Sequence, residues 1–134
     1  MTRSGLRSGA DESLSLTLDG NNDAAATARA ALGRLRADID PPLMETLRLL
    51  ITELITNSVK HARSDSVHMR VLVRPSSVLT EVVDGGPGFD PETTGVPRAD
   101  RGGWGLFLVE RLADSWGAGH EGGSTKVWFE LRRV

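Results

Sequence analysis

The sequence predicts a mixed fold, a mostly antiparallel β-sheet with helices covering one face. Three observations predict it. Segments around residues 14–18, 67–74 and 125–133 alternate apolar and polar residues with the period of a half-buried strand. Segments around 24–37, 42–61 and 106–113 carry apolar residues at helical spacing. Their order along the chain is β-α-α-β-β-loop-α-β-β, with turn residues between neighbouring strands.

Residues 1–12, rich in Ser, Gly and Arg, read as a disordered tail. The folded part is expected to be a single domain over residues 13–134. Leu14, Leu16 and Leu18 alternate with Ser13, Ser15 and Thr17 as the first strand. Residues 19–23 supply turn and N-cap residues. The Ala-rich helix that follows, to about Ala37, places Ala25, Ala28, Leu32 and Leu35 on one face. Asp40-Pro41-Pro42 is a helix start, because proline is tolerated in a first turn and Asp can cap it. That helix is expected to reach His61, with Leu43, Leu47, Leu50, Leu54 and Ser58 as its core stripe. Val67, Met69, Val71 and Val73 form the inner face of a second strand, and Pro75-Ser76-Ser77 turns it into a third ending at Asp84. Pro87, Pro91 and Pro97 forbid regular structure between Gly85 and Gly103, a loop long enough to suggest function. Leu106, Val109, Leu112 and Ala113 mark a further helix, and a hairpin around Glu121-Gly122-Gly123 closes the chain.

Composition narrows the function classes. The 134 residues are 39% hydrophobic and 25% charged, ordinary for a soluble globular domain. A net charge of −2 gives no electrostatic argument for nucleic acid or an anionic membrane. The absence of cysteine excludes disulfides, thiolate metal sites and thiol nucleophiles. No apolar run approaches membrane-spanning length, and the first ten residues lack the apolar core of a signal peptide, so a cytoplasmic location is expected. His61, His68 and His120 are not spaced as a metal site. Trp116 and Trp128 read as core or sheet-face residues.

Three segments stand apart. Asp84-Gly85-Gly86-Pro87-Gly88-Phe89 puts a carboxylate at a strand end and then a turn whose glycines let a ligand approach the main chain. A ligand amino group would suit that carboxylate, although the hexapeptide alone is equally an ordinary turn. Glu53 and Asn57 lie four apart on one helix face, where a carboxylate and an amide oxygen can orient a nucleophile and hold a hard cation. A solvated helix face is the commoner fate of that spacing. Arg101-Gly102-Gly103-Trp104-Gly105-Leu106 leads into a helix, where unpaired N–H groups and the helix dipole favour an anion. Neither a P-loop nor a Rossmann fingerprint is present, so a nucleotide site here must be built differently.

Together, Glu53-Leu54-Ile55-Thr56-Asn57-Ser58-Val59-Lys60-His61-Ala62, the Asp84 hexapeptide and Gly103-Trp104-Gly105-Leu106 resemble the N, G1 and G2 boxes of the GHKL ATPases. The resemblance covers about residues 13–134. Within that superfamily the chain looks most like the bacterial anti-sigma-factor serine/threonine kinases, in its Asn57-x-x-x-His61 ending, in Leu108 to Gly117 and in Ser124 to Phe129. The resemblance implies a Bergerat-type α/β two-layer sandwich with a mixed, mostly antiparallel sheet. It implies ATP and Mg²⁺ as ligands, with Asn57 on the Mg²⁺ and Glu53 as the general base that orients the hydroxyl or water attacking the γ-phosphate. Asp84 would accept a hydrogen bond from the adenine amino group, with Thr125 nearby, directly or through water. Gly86 and Gly88 would give the base and ribose room, and Gly103 and Gly105 would bring backbone N–H groups to the phosphates. Arg101, or Arg98 in the same lid, would offset charge on the γ-phosphate.

The activity so implied is phosphorylation of a serine or threonine on an anti-anti-sigma (STAS-type) protein. Sequestration of a sigma factor and a homodimer are further implications, with no direct nucleic-acid or membrane partner. Two rivals stay open: a non-catalytic module that binds nucleotide to set its affinity for a partner protein, and a detached histidine-kinase catalytic domain. Retention of Glu53 favours the kinase, because binding alone needs no base. Trp104 inside the third box and the glycines between Gly117 and Gly123 depart from the family pattern.

Overall fold

A computed structural model describes residues 13–60, 65–84, 104–121 and 124–133. Five strands, β1 (Leu14–Asp19), β2 (Ser66–Val73), β3 (Ser77–Asp84), β4 (Ser115–Glu121) and β5 (Ser124–Arg132), form one sheet in the order β1-β2-β3-β5-β4. All four pairings are antiparallel. Among the described residues, three helices, α1 (Ala24–Leu32), α2 (Pro41–Lys60) and α3 (Trp104–Leu112), pack beside one another with α2 between the other two. The expected two-layer α/β sandwich is therefore the fold. The expectations for residues 1–12 and for the loop after Asp84 lie outside the described residues.

Strict alternation builds the interface between the layers. Val67, Met69 and Val71 of β2, Val78 and Val82 of β3, and Val127, Phe129 and Leu131 of β5 are all buried. They share a face because directly paired residues of antiparallel strands project to the same side, as in Met69 with Val82 and Thr80 with Phe129. Against them α2 sets Leu47, Leu50, Ile51, Leu54 and Ile55. Each such fully buried side chain stabilises by roughly 1.5–3 kcal/mol. The α2 stripe is wider than expected because Ile51 and Ile55 are buried as well, as suits a helix with the sheet below it and a helix on either flank.

Two expectations are corrected at helix ends. The Ala-rich helix stops at Leu32, not Ala37, and tightens into a 3-10 turn over Gly33–Leu35. Glycine costs about 1 kcal/mol relative to Ala inside a helix, so Gly33 is a natural place for α1 to end. Asp23 occupies the α1 N-cap position without a side-chain capping bond, and Asn21 shapes the turn instead, its Oδ1 accepting from Asp23 N at 2.9 Å. At the end of α3, Leu106 and Val109 are buried but Leu112 is 42% exposed. Ala113 packs against the core in its place, since 3.6 residues per turn carry the stripe from Val109 to a residue four on.

Among the described residues the sheet's second face carries no helix, and cross-strand contacts link its side chains. Arg70 and Lys126 flank Glu81 at 3.4 and 3.6 Å. His68 bridges Ser15 and Thr17 of β1 at 3.1 and 2.9 Å. Glu130 accepts from Ser77 at 2.9 Å and from Ser115 at 3.1 Å, so one carboxylate ties β3, β5 and β4 together. No helix among the described residues is long and apolar enough to cross a membrane.

Candidate functional site

Asp84 is the last residue of β3, and its place in the pleat turns it inward with Val78, Thr80 and Val82. It pairs directly with Val67 of β2 on one side and with Thr125 of β5 on the other. Asp84 is 2% exposed and Thr125 is 1% exposed. A carboxylate taken out of water costs heavily unless hydrogen-bond donors replace the solvent. One donor comes from the helix layer: the Ser58 hydroxyl of α2 donates to Asp84 Oδ2 at 3.2 Å, and Ser58 is itself 3% exposed. A buried carboxylate with two hydroxyl-bearing neighbours thus stands at the end of the central strands, where β3 gives way to residue 85.

On α2, Glu53 and Asn57 stand one turn apart and both are half-buried. They flank the buried stripe that ends in Ser58, so the helix presents them at the margin of the core rather than on its solvated side. Lys60 is exposed. Gly105 lies in the first turn of α3, and Leu106 anchors that turn in the core. Gly86, Gly88, Arg98, Arg101 and Gly103 lie outside the described residues, as does His61. The structure therefore brings Asp84 and Thr125 side by side, and it ties Asp84 to the helix that bears Glu53 and Asn57.

The amide oxygen of Asn57 and the carboxylate of Glu53 are hard oxygen donors of the kind Mg²⁺ takes. Among the described residues, no group of three or more His, Cys, Asp or Glu side chains could hold a metal ion. A site with one or two protein oxygens still fits Mg²⁺, which keeps its waters and takes phosphate oxygens for the rest of its shell. His68 is committed to Ser15 and Thr17 on the opposite face of the sheet and has no part here.

Ser58 is the residue of this corner that the sequence placed only in the core stripe. The signal that could have found it was its polarity: a hydroxyl in line with Leu47, Leu50 and Leu54 must meet a polar partner inside the protein. A separate small pocket, lined by Asn21, Asn22, Ala25, Thr56, Val59 and Lys60, opens between the β1–α1 turn and the end of α2. It shares no residue with the Asp84 corner.

The sequence profile of the histidine kinase-like ATPase domain matches residues 18–131. A serine-protein kinase, RsbW of Listeria monocytogenes, is 32% identical over 106 residues, which cover 63% of this chain and 68% of that protein. Among solved structures, Acinetobacter baumannii histidine kinase AdeS is similar with a TM-score of 0.56 and 14% identity, over 89% of this chain and 67% of that one. The histidine kinase domain of Erythrobacter litoralis EL346 blue-light activated histidine kinase gives a TM-score of 0.52 at 24% identity and covers 66% of this chain. This chain spans only 43% of that structure's length. At such identities the two structures speak for the fold alone.

Proposed function

The chain belongs to the histidine kinase-like ATPase domain family, and we propose that it is an ATP-dependent serine/threonine protein kinase acting on a small regulatory protein in the cytoplasm. The observation that carries this reading is the bond between Ser58 and Asp84, which fixes the Glu53/Asn57 helix against the buried carboxylate corner. The likeness to a serine-protein kinase supports the acceptor class.

In this reading residues 13–134 act as one domain. Asp84, with Thr125 beside it, accepts from the exocyclic amino group of adenine. Gly86 and Gly88 leave room for the base and ribose. Gly103 and Gly105 turn main-chain N–H groups toward the phosphates at the start of α3, where the helix dipole adds to them. Mg²⁺, when bound, neutralises phosphate charge, and Asn57 supplies a protein oxygen to it. Glu53 accepts the proton of the acceptor hydroxyl and holds that oxygen in line with the γ-phosphate, while Arg101 offsets the charge there. Phosphoryl transfer asks little more of a protein than such positioning and neutralisation. The protein substrate is an anti-anti-sigma protein of the STAS type, and a sigma factor is the second partner.

A pull-down with and without ATP, followed by phosphosite mapping on the recovered partner, tests the reading. A phosphorylated serine or threonine is expected. Recovery of an unmodified partner in an ATP-dependent manner would point instead to a nucleotide-dependent binding module. Two substitutions separate binding from chemistry. Asp84→Asn is expected to abolish ATP binding by calorimetry, and Glu53→Ala to keep binding while lowering transfer by at least about 10²-fold, the usual worth of a positioned base. Full transfer by Glu53→Ala would remove Glu53 from its role.

A further inference from the structure

We infer that Ser58 is a positioning residue for base recognition: its hydroxyl aims the Asp84 carboxylate and thereby sets the preference for a purine bearing a 6-amino group. The inference rests on the proposed adenine-reading role of Asp84 and adds to it a residue from a different element. Three observations support it. The Ser58 hydroxyl donates to Asp84 Oδ2 at 3.2 Å across 26 residues of sequence. Both groups are buried, at 3% and 2% exposure, so the bond is made where water competes little. The remaining α2 residues on that inner face, Leu47, Leu50, Ile51, Leu54 and Ile55, are apolar, so Ser58 stands out as the polar end of an otherwise apolar stripe.

The chemistry follows from what each group can do. An ionised carboxylate only accepts, through two oxygens and about four lone-pair directions. Its Cβ–Cγ torsion is soft, so without an anchor the carboxylate plane rotates broadly. A hydroxyl on Oδ2 fixes that plane and so the direction in which the carboxylate meets a ligand N–H. Alanine at 58 would leave Asp84 in place and remove the donor on Oδ2 that helps to aim it. The bond also makes one unit of two parts of the site. Ser58 follows Asn57 directly on α2, so the same helix turn addresses the phosphate end through Asn57 and the base end through Ser58.

The test compares ATP with purine riboside triphosphate, which lacks the 6-amino group, in the full chain by calorimetry with Mg²⁺. Wild type is expected to prefer ATP by about tenfold or more, the worth of a hydrogen bond to a charged group. Ser58→Ala is expected to weaken ATP about five- to tenfold while leaving purine riboside triphosphate within twofold, so that discrimination collapses. A purely structural role would weaken both nucleotides together, and that result overturns the inference. So does unchanged ATP affinity in Ser58→Ala. Ser58→Thr and Ser58→Val, equal in shape, guard against a packing artefact: Thr is expected to keep the preference and Val to lose it. Equal preference in these two also overturns the inference. If wild type itself fails to discriminate, the Asp84 reading fails, and the inference falls with it; that outcome is visible before any Ser58 variant is made.

Discussion

Buried polar atoms separate into two kinds in this protein, and the difference predicts their worth. Ser58 and Asp84 are buried with a bond between them. Thr80 is also fully buried, flanked in register by Val71 and Phe129, yet among the described residues its Oγ1 has no hydrogen-bond partner. An unsatisfied buried hydroxyl carries its desolvation cost with nothing to offset it. Thr80→Val, which keeps the shape and the β-branched side chain that suits a strand, is expected to stabilise the fold by about 1 kcal/mol in urea or guanidinium unfolding. A loss of stability would mean that the hydroxyl finds a bond in solution. The same distinction explains what could be read of the site beforehand. Asp84 was legible because a carboxylate ending an apolar strand before a glycine turn is chemically odd. Ser58 was not, because serine sits unremarkably on a helix until a specific buried partner is found for it.

Among the elements, the strands were the most legible and the helix ends the least. Period two in Val67, Met69 and Val71, or in Val127, Phe129 and Leu131, admits one inward face, and a register slip would turn each of them out. Helix ends depend on weaker effects, so the Ala-rich run stopped at Gly33 and Leu112 turned outward while Ala113 packed in. The β4–β5 hairpin shows a constraint that a pattern cannot convey. Gly117 lies directly opposite Trp128, whose indole lies across it: a Cβ at 117 would stand 2.5 Å from Trp128 Nε1. An aromatic ring covering a glycine in a neighbouring strand restores packing that the glycine lacks. Gly117→Ala must therefore displace the indole, at an expected cost of about 1–3 kcal/mol. In a Trp128→Ala background the same substitution is expected to cost almost nothing. A double-mutant cycle by thermal unfolding checks this, and additivity of the two changes would show that the ring does not pin the hairpin.

At the scale of the whole molecule, the Asp84 corner joins the two layers at one end of the sandwich. Apolar packing holds most of that interface, and here a strand end and a helix are also joined by the bond between Ser58 and Asp84. A ligand seated on Asp84 and Asn57 would touch both layers at once, so its binding should register as stability of the entire fold. The size of that effect follows from mass action. At free ATP 100-fold above Kd, the native state gains about 2.7 kcal/mol. For a domain of this length that corresponds to a rise in melting temperature on the order of 10 °C. The variants should then divide according to whether they act on binding or on transfer. Asp84→Asn is expected to lose the ATP-dependent rise if Asp84 reads the base as proposed. Glu53→Ala is expected to keep nearly all of it, because in the proposed function Glu53 serves a hydroxyl of another protein and adds nothing to nucleotide affinity. Melting curves with and without Mg²⁺ and ATP measure this directly. A rise in Asp84→Asn equal to that of wild type would place the nucleotide somewhere other than the corner between β3, β5 and α2.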